Sequence, residues 1–179
     1  MEMLRTVSKA WKIPDIRKKI IFTLCMLLIF RIGAQIPVPG MNREILAQTF
    51  DSDTGLFALF NLFSGGAFSN FTIFALSITP YITASIILQL LTIAIPALER
   101  LSREGTEGRK KIAQYTRYLT VALAVVQAIG VTIGLFRKAL ISTDVFSIIV
   151  IVMVLTAGTA FLMWLGEQIN EHGIDNGIS

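Results

Sequence analysis

The chain has 179 residues, 54% hydrophobic and only 16% charged, with a mean hydropathy of +0.68. Its charges gather in blocks between long uncharged runs, a layout that excludes an ordinary soluble domain and predicts an all-α, polytopic membrane protein. The net charge of +4 is modest and aromatic and basic residues do not interleave, so the positive excess reads as membrane orientation and not as a nucleic-acid surface.

Residues 1–19 are basic and run into an apolar segment with no small-residue cleavage pattern, which predicts a retained cytoplasmic anchor and not a removable signal peptide. The first span is expected over 20–36. Cys25 lies within it, has no partner for an internal disulfide, and reads as a small packing residue. Arg31 lies near the far end, where its long stem can snorkel to the interface, and Pro37 and Pro39 of IPVPG stop the helix. An external loop follows over 37–55.

The next run, Thr54 to Leu98, holds 45 residues without a charge. As one helix it would measure roughly 67 Å against a bilayer core of ~30 Å. Its first part is interrupted by Ser64, Gly65, Gly66, Ser69 and Asn70. Charge counting decides how it behaves. Six Lys/Arg precede the first span (Arg5, Lys9, Lys12, Arg17, Lys18, Lys19) and six lie between Glu99 and Arg117 (Arg100, Arg103, Arg109, Lys110, Lys111, Arg117), and both clusters should be cytoplasmic. The run must therefore cross once, with residues 56–71 folded back as a re-entrant half-helix and 72–96 as the true second span. Irregular backbone at membrane depth is tolerated only inside protein or beside a water-filled cavity, so a broken run points to a channel or transporter. A cytoplasmic basic loop over 97–117, a third span over 118–136, an external loop over 137–144, a fourth span over 145–166 and a cytoplasmic tail over 167–179 complete the chain, giving four spans of about the length a bilayer requires.

Within the second span Ile78, Ile82 and Ile86 recur at i, i+4 and i+8 as one apolar strip, with Thr79, Thr83 and Ser85 on neighbouring faces and Gln89 deeper in. These residues also suit ordinary helix packing, with Pro80 kinking the helix and a nearby hydroxyl meeting the freed carbonyl. Gln89 and Gln127 are more informative, because an amide at membrane depth needs a partner or water.

The stretch FSGGAFSNFTIFALSITPYITASIILQLLTIAIPAL, the segment GRKKIAQYTRYLT and the closing WLGEQINEHGIDNGIS resemble the N-terminal half of the SecY family, protein-export channels, in the expected order and including IPVPG. Two positions depart from the family pattern: Ser77 stands where glycine is common, and Asp175 makes GIDNGIS of the usual GIGNGIS. The family has ten spans in two halves, so a chain ending at Ser179, before a fifth span, looks like a fragment needing the other half.

The resemblance implies a re-entrant plug containing Leu59, Phe60, Asn61, Phe63, Ser64, Gly65 and Gly66, a pore ring to which Ile78 and Ile82 contribute, and one side of a lateral gate formed by Thr83, Ile86, Ile87, Gln89 and Gln127. It further implies a docking loop with Arg103, Arg109, Lys110 and Lys111 for the motor ATPase SecA or the ribosome, the partner subunits SecE and SecG, and signal sequences, translocating polypeptides and membrane lipid as the other contacts. Location would be the bacterial cytoplasmic membrane. No cofactor, metal or catalytic residue is implied.

Three other classes fit less well. A secondary transporter half, the main alternative, would place carboxylates near the midplane, and no Asp or Glu lies inside any predicted span. An intramembrane enzyme would need a nucleophile with a base, yet Ser64 lacks a GxSxG context and His172, the sole histidine, follows the last span. A structural bundle explains Gly130 and Gly134 of GVTIG as a packing face but not the broken run.

Overall fold

The computed structural model describes residues 13–42, 45, 55, 59, 62, 70–135, 137, 140–142 and 144–173. Most of these residues lie in α1 Pro14–Gly33, α2 Thr79–Ala94, α3 Pro96–Arg103, α4 Thr106–Ile129, continued by a π-helical turn over Gly130–Leu135, and α5 Val145–His172. Strand pairing among the described residues is confined to two isolated bridges, Pro37 with Thr72 and Met41 with Leu140.

Proline sets most of the boundaries. α1, α2 and α3 each have Pro in the first turn, where the missing N–H would be unpaired anyway. Pro80 therefore starts α2 and does not kink it. At Ile95 the chain turns extended ahead of Pro96, and α3 leaves α2 at 102°. The charges of α3, Glu99, Arg100 and Arg103, fall on one side and Ala97, Leu98 and Leu101 on the other. Gly108 lets α3 fold back on α4, because a Cβ there would strike the Leu101 carbonyl.

The helices are antiparallel neighbours. The C-terminal half of α2 shares a cavity with the first turns of α4, Arg117 of α4 pairs with Glu167 of α5, and Phe22 of α1 packs against His172 of α5 at 5.7 Å between ring centroids. The start of α1, the end of α2, the start of α4 and the end of α5 thus lie together, and the basic residues of both clusters that are described share one end of the bundle. The Thr106–Gly134 segment and α5 are each long and apolar enough to cross a membrane, and the bent α2–α3 pair makes a third candidate. α1 carries Asp15, Arg17, Lys18, Lys19 and Arg31 and falls outside that group.

α2 and α4 pack closely, and their buried residues are mostly small: Pro80, Ala84 and Leu88 on α2, and Thr116, Thr120, Ala124 and Ala128 on α4, each set spaced by four. In membranes such surfaces let backbones approach closely, which is where packing energy comes from when lipid is as apolar as the side chains.

Residues 71–78, of which 72–78 are expected as the opening of the second span and 71 as the end of the re-entrant segment, form successive turns. Phe71, Thr72, Phe74, Ala75 and Leu76 are buried, and the backbone finds partners in the IPVPG segment: the Val38 N–H donates to the Phe71 carbonyl and the Ile73 N–H to the Ile36 carbonyl, both at 3.0 Å. Two turn bonds, Ala75 N–H to Thr72 (2.9 Å) and Ser77 N–H to Phe74 (2.8 Å), satisfy others. Gly33 and Gly158 make room, since a Cβ on the first would run into the Phe74 ring and one on the second into the Ile73 carbonyl. Phe74 is held between Phe30 of α1 and Phe161 of α5, with ring centroids 5.7 and 6.0 Å apart and nearly parallel planes. Irregular backbone survives here because protein encloses it.

Other expectations shift as well. α4 starts at Thr106, twelve residues ahead of the expected third span at 118, because hydropathy marks where a helix meets lipid and not where it begins. α1 stops at Gly33, and tight turns from Ile36 to Gly33 and from Gln35 to Ile32 carry the chain to Pro37. Cys25, read as a packing residue, is exposed. Gly130 and Gly134 have open space where a Cβ would stand, so among the described residues the two glycines of this π-helical turn are not a packing face, whereas Val131 and the buried Thr132 between them pack inward.

Candidate functional site

Ile78 is the N-cap of α2 and half-buried, while Ile82 and Ile86 are 41% and 52% exposed. The strip is offset by two residues from Pro80, Ala84 and Leu88, which is about 200° around a helix. Helix α2 therefore turns its small face to α4 and its isoleucines to the open side. The orientation begins at Ser77, whose φ of +54 is left-handed. That conformation suits glycine better than an L-residue with a Cβ. Ser77 ends the run of turns and aims Ile78 and the first turn of α2.

The remaining gate candidates spread along both helices. Thr83 is half-buried, with its hydroxyl donating to the Thr79 carbonyl at 3.0 Å, Ile86 is exposed and Ile87 half-buried. Gln89 lines a cavity of about 230 Å³ with Ser85, Leu88, Thr92, Ser102, Arg109, Ile112 and Thr116. Gln127, half-buried on α4, lies eleven residues beyond Thr116, about 16 Å along the axis. The structure does not bring the two glutamines together.

Of the plug candidates only Leu59 is described, helical and exposed; Phe60, Asn61, Phe63, Ser64, Gly65 and Gly66 lie outside the described residues. Leu62, between them, is helical and exposed too. The basic residues of the expected docking loop are exposed and set on helices. Arg103 pairs with Glu99 at 2.6 Å and Lys110 with Glu107 at 3.2 Å, both within their own helix, and such exposed pairs are worth about 0–1 kcal/mol. Arg109 borders the Gln89 cavity, and Lys111 points outward. His172 packs on Phe22 at the end of α5.

Sequence reasoning missed a second polar feature. Arg117, counted only as a topology charge, meets Glu167 through two contacts, Nε to Oε1 at 2.9 Å and Nη2 to Oε2 at 2.8 Å. The available signal was that opposite charges stand at the charged edges of two consecutive apolar runs, which antiparallel helices bring to the same level. Also unanticipated are three buried hydroxyls, Thr132, Thr156 and Thr159, without a hydrogen-bond partner. Among the described residues no group of His, Cys, Asp and Glu is placed to hold a metal ion.

An antiparallel set of apolar helices, wrapped around a buried irregular segment and leaving an isoleucine strip on its open side, defines one shell of a helical membrane protein. The chain belongs to the SecY family, whose model matches residues 72–179. It is 50% identical over 191 residues to the protein translocase subunit SecY of Streptomyces scabiei, covering 99% of this chain and 44% of that one. The corresponding Bacillus subtilis subunit is 51% identical over 182 residues, covering 99% of this chain and 42% of the relative, so the chain spans less than half the length of these relatives. Its fold matches Sec61 in the canine ribosome–channel complex from the endoplasmic reticulum, with a TM-score of 0.64 at 20% identity over 96% of this chain and 39% of the other. A solved SecY, studied for a plug domain that stabilises the closed state of the translocation channel and maintains a membrane seal, matches with a TM-score of 0.59 at 20% identity over 96% of this chain and 38% of that one.

Proposed function

We propose that this chain forms the N-terminal half of a protein-conducting channel, which passes unfolded polypeptides across the bacterial cytoplasmic membrane and releases apolar segments sideways into lipid. The observation that carries this reading is the placement of Ile78, Ile82 and Ile86 on the face of α2 turned about 200° from its packed face. A ring of branched apolar side chains excludes ions by closing on whatever fills the pore and by dewetting when empty, without gripping polar substrate. Such a conduit performs no reaction, and movement is driven by a partner.

Ile78 and Ile82 supply part of the ring; Thr83, Ile86, Ile87, Gln89 and Gln127 supply one side of the lateral gate; and residues 56–71 act as the plug, a role in keeping with the plug domain named for the structural relative. The N-terminus and the exposed Arg103, Arg109, Lys110 and Lys111 are cytoplasmic, a reading supported by the common end on which the described basic residues of both clusters lie. SecE, SecG, and SecA or the ribosome are the partners this assignment calls for.

The test is Ile82→Asn in the full-length channel. It should insert normally, leak ions at rest and pass substrates with weak signal sequences, because hydrating the ring lowers the barrier to opening. A cysteine at position 82 should crosslink to a polypeptide stalled in transit, and one replacing the buried Ile151 should not. Misfolding without leakage, or equal crosslinking from position 151, would refute the pore assignment.

A further inference from the structure

The small-residue contact between α2 and α4 brings backbones close but offers little to stop one helix sliding along another. The hydroxyls there do not bridge. Thr116 and Thr120 donate to carbonyls of their own helix, at Ile112 (3.0 Å) and Thr116 (2.7 Å), and Thr156 and Thr159 on α5 have no hydrogen-bond partner. A directional contact between α4 and α5 is instead made by Arg117 and Glu167, whose two parallel bonds at 2.9 and 2.8 Å fix orientation as well as distance. The carboxylate side chain is 19% exposed and the guanidinium 48%, so the pair is screened less than a free surface pair. Tyr81, on the first turn of α2 and next in sequence to Ile82, lies within electrostatic range of both partners, and Glu171 acts on Arg117 from one turn beyond Glu167.

We propose that Arg117 and Glu167 are positioning residues of the pore: their ion pair sets the register of the α2–α4 unit on α5 and so holds Ile78 and Ile82 in the resting ring. This rests on the channel reading above. A contact made in the resting arrangement and stretched when α4 slides on α5 biases the population toward rest, and its loss moves the population the other way. The effect should fall on discrimination between substrates and not on the amount of channel assembled.

The experiment uses full-length channel in cells, with export of one substrate carrying an intact signal sequence, export of another carrying a crippled one, and resting ion leakage. Glu167→Gln, and Arg117→Lys, which keeps the charge but loses the fork, should each raise crippled-signal export about fivefold at unchanged channel abundance. Arg117→Glu and Glu167→Arg should do so more strongly, and combining them should restore discrimination. Unchanged discrimination in the single variants at normal abundance would overturn the proposal. So would an equal loss of both substrates that follows channel abundance, or a double swap no better than its worse parent. Ile82→Asn is run alongside: if it leaks while the pair variants leave discrimination unchanged, the positioning role fails and the pore reading stands; if it does not leak, the pore reading itself fails.

Discussion

Replacing Ser77 by glycine isolates the backbone at the entrance to α2. Ser77 has a φ of +54, and its N–H already donates to the Phe74 carbonyl at 2.8 Å, a bond that the substitution keeps. An L-residue in the left-handed region costs about 1–2 kcal/mol, whereas glycine in the unfolded chain gives back about 0.5–1 kcal/mol of that relief as extra entropy. The net expectation is a gain of about 0.5–1 kcal/mol. Ser77→Ala is the control: it removes the hydroxyl, leaves a Cβ at the same φ, and should yield no gain. The assay is denaturant unfolding of the detergent-solubilised full-length protein, comparing midpoints at constant slope. Should alanine stabilise as much as glycine, or glycine lower the midpoint, backbone strain is not what Ser77 contributes. Channel activity should survive Ser77→Gly, because the turn it stabilises is the one seen here.

Gly158→Val should destabilise by about 1–3 kcal/mol or prevent assembly, since any Cβ meets the Ile73 carbonyl; a midpoint within experimental error of the parent would mean that residues 71–78 do not press on α5. Topology is checked with single cysteines in otherwise cysteine-free channel. One at Ser102, beside α4's basic first turns, should be shielded from an impermeant thiol reagent added outside intact cells, and one at the exposed Ile141 should label; the reverse pattern would invert the proposed orientation.

The helical architecture was legible in the sequence because helix-length apolar runs and basic blocks register a bilayer's thickness and sidedness directly. The isoleucine strip was legible too, through its spacing of four. The start of α2 was not. Residues 71–78 are as apolar as a span, and hydropathy cannot tell a turn buried in protein from a helix buried in lipid; Ser77 marks the difference through its φ of +54, which a one-letter sequence does not carry. Pro80 was ambiguous for the same reason, being a kink in a longer helix or the first turn of a shorter one. The Arg117–Glu167 pair joins residues 50 positions apart, a relation fixed by helix packing and therefore invisible to local pattern.

The enclosure of residues 71–78 also constrains how the chain is made. Their backbone is partnered early, by residues 36 and 38, but they are not walled off until Gly158 and Phe161 of α5 arrive. Gly158 is 86 residues after Thr72, a delay of roughly 4 to 17 s at bacterial and eukaryotic elongation rates. Throughout that interval the segment lacks the wall that α5 supplies, and irregular backbone without enclosing protein is costly in lipid. Codon choice or a ribosomal pause between these two points therefore sets how long the future centre of this fold stays open to misassembly.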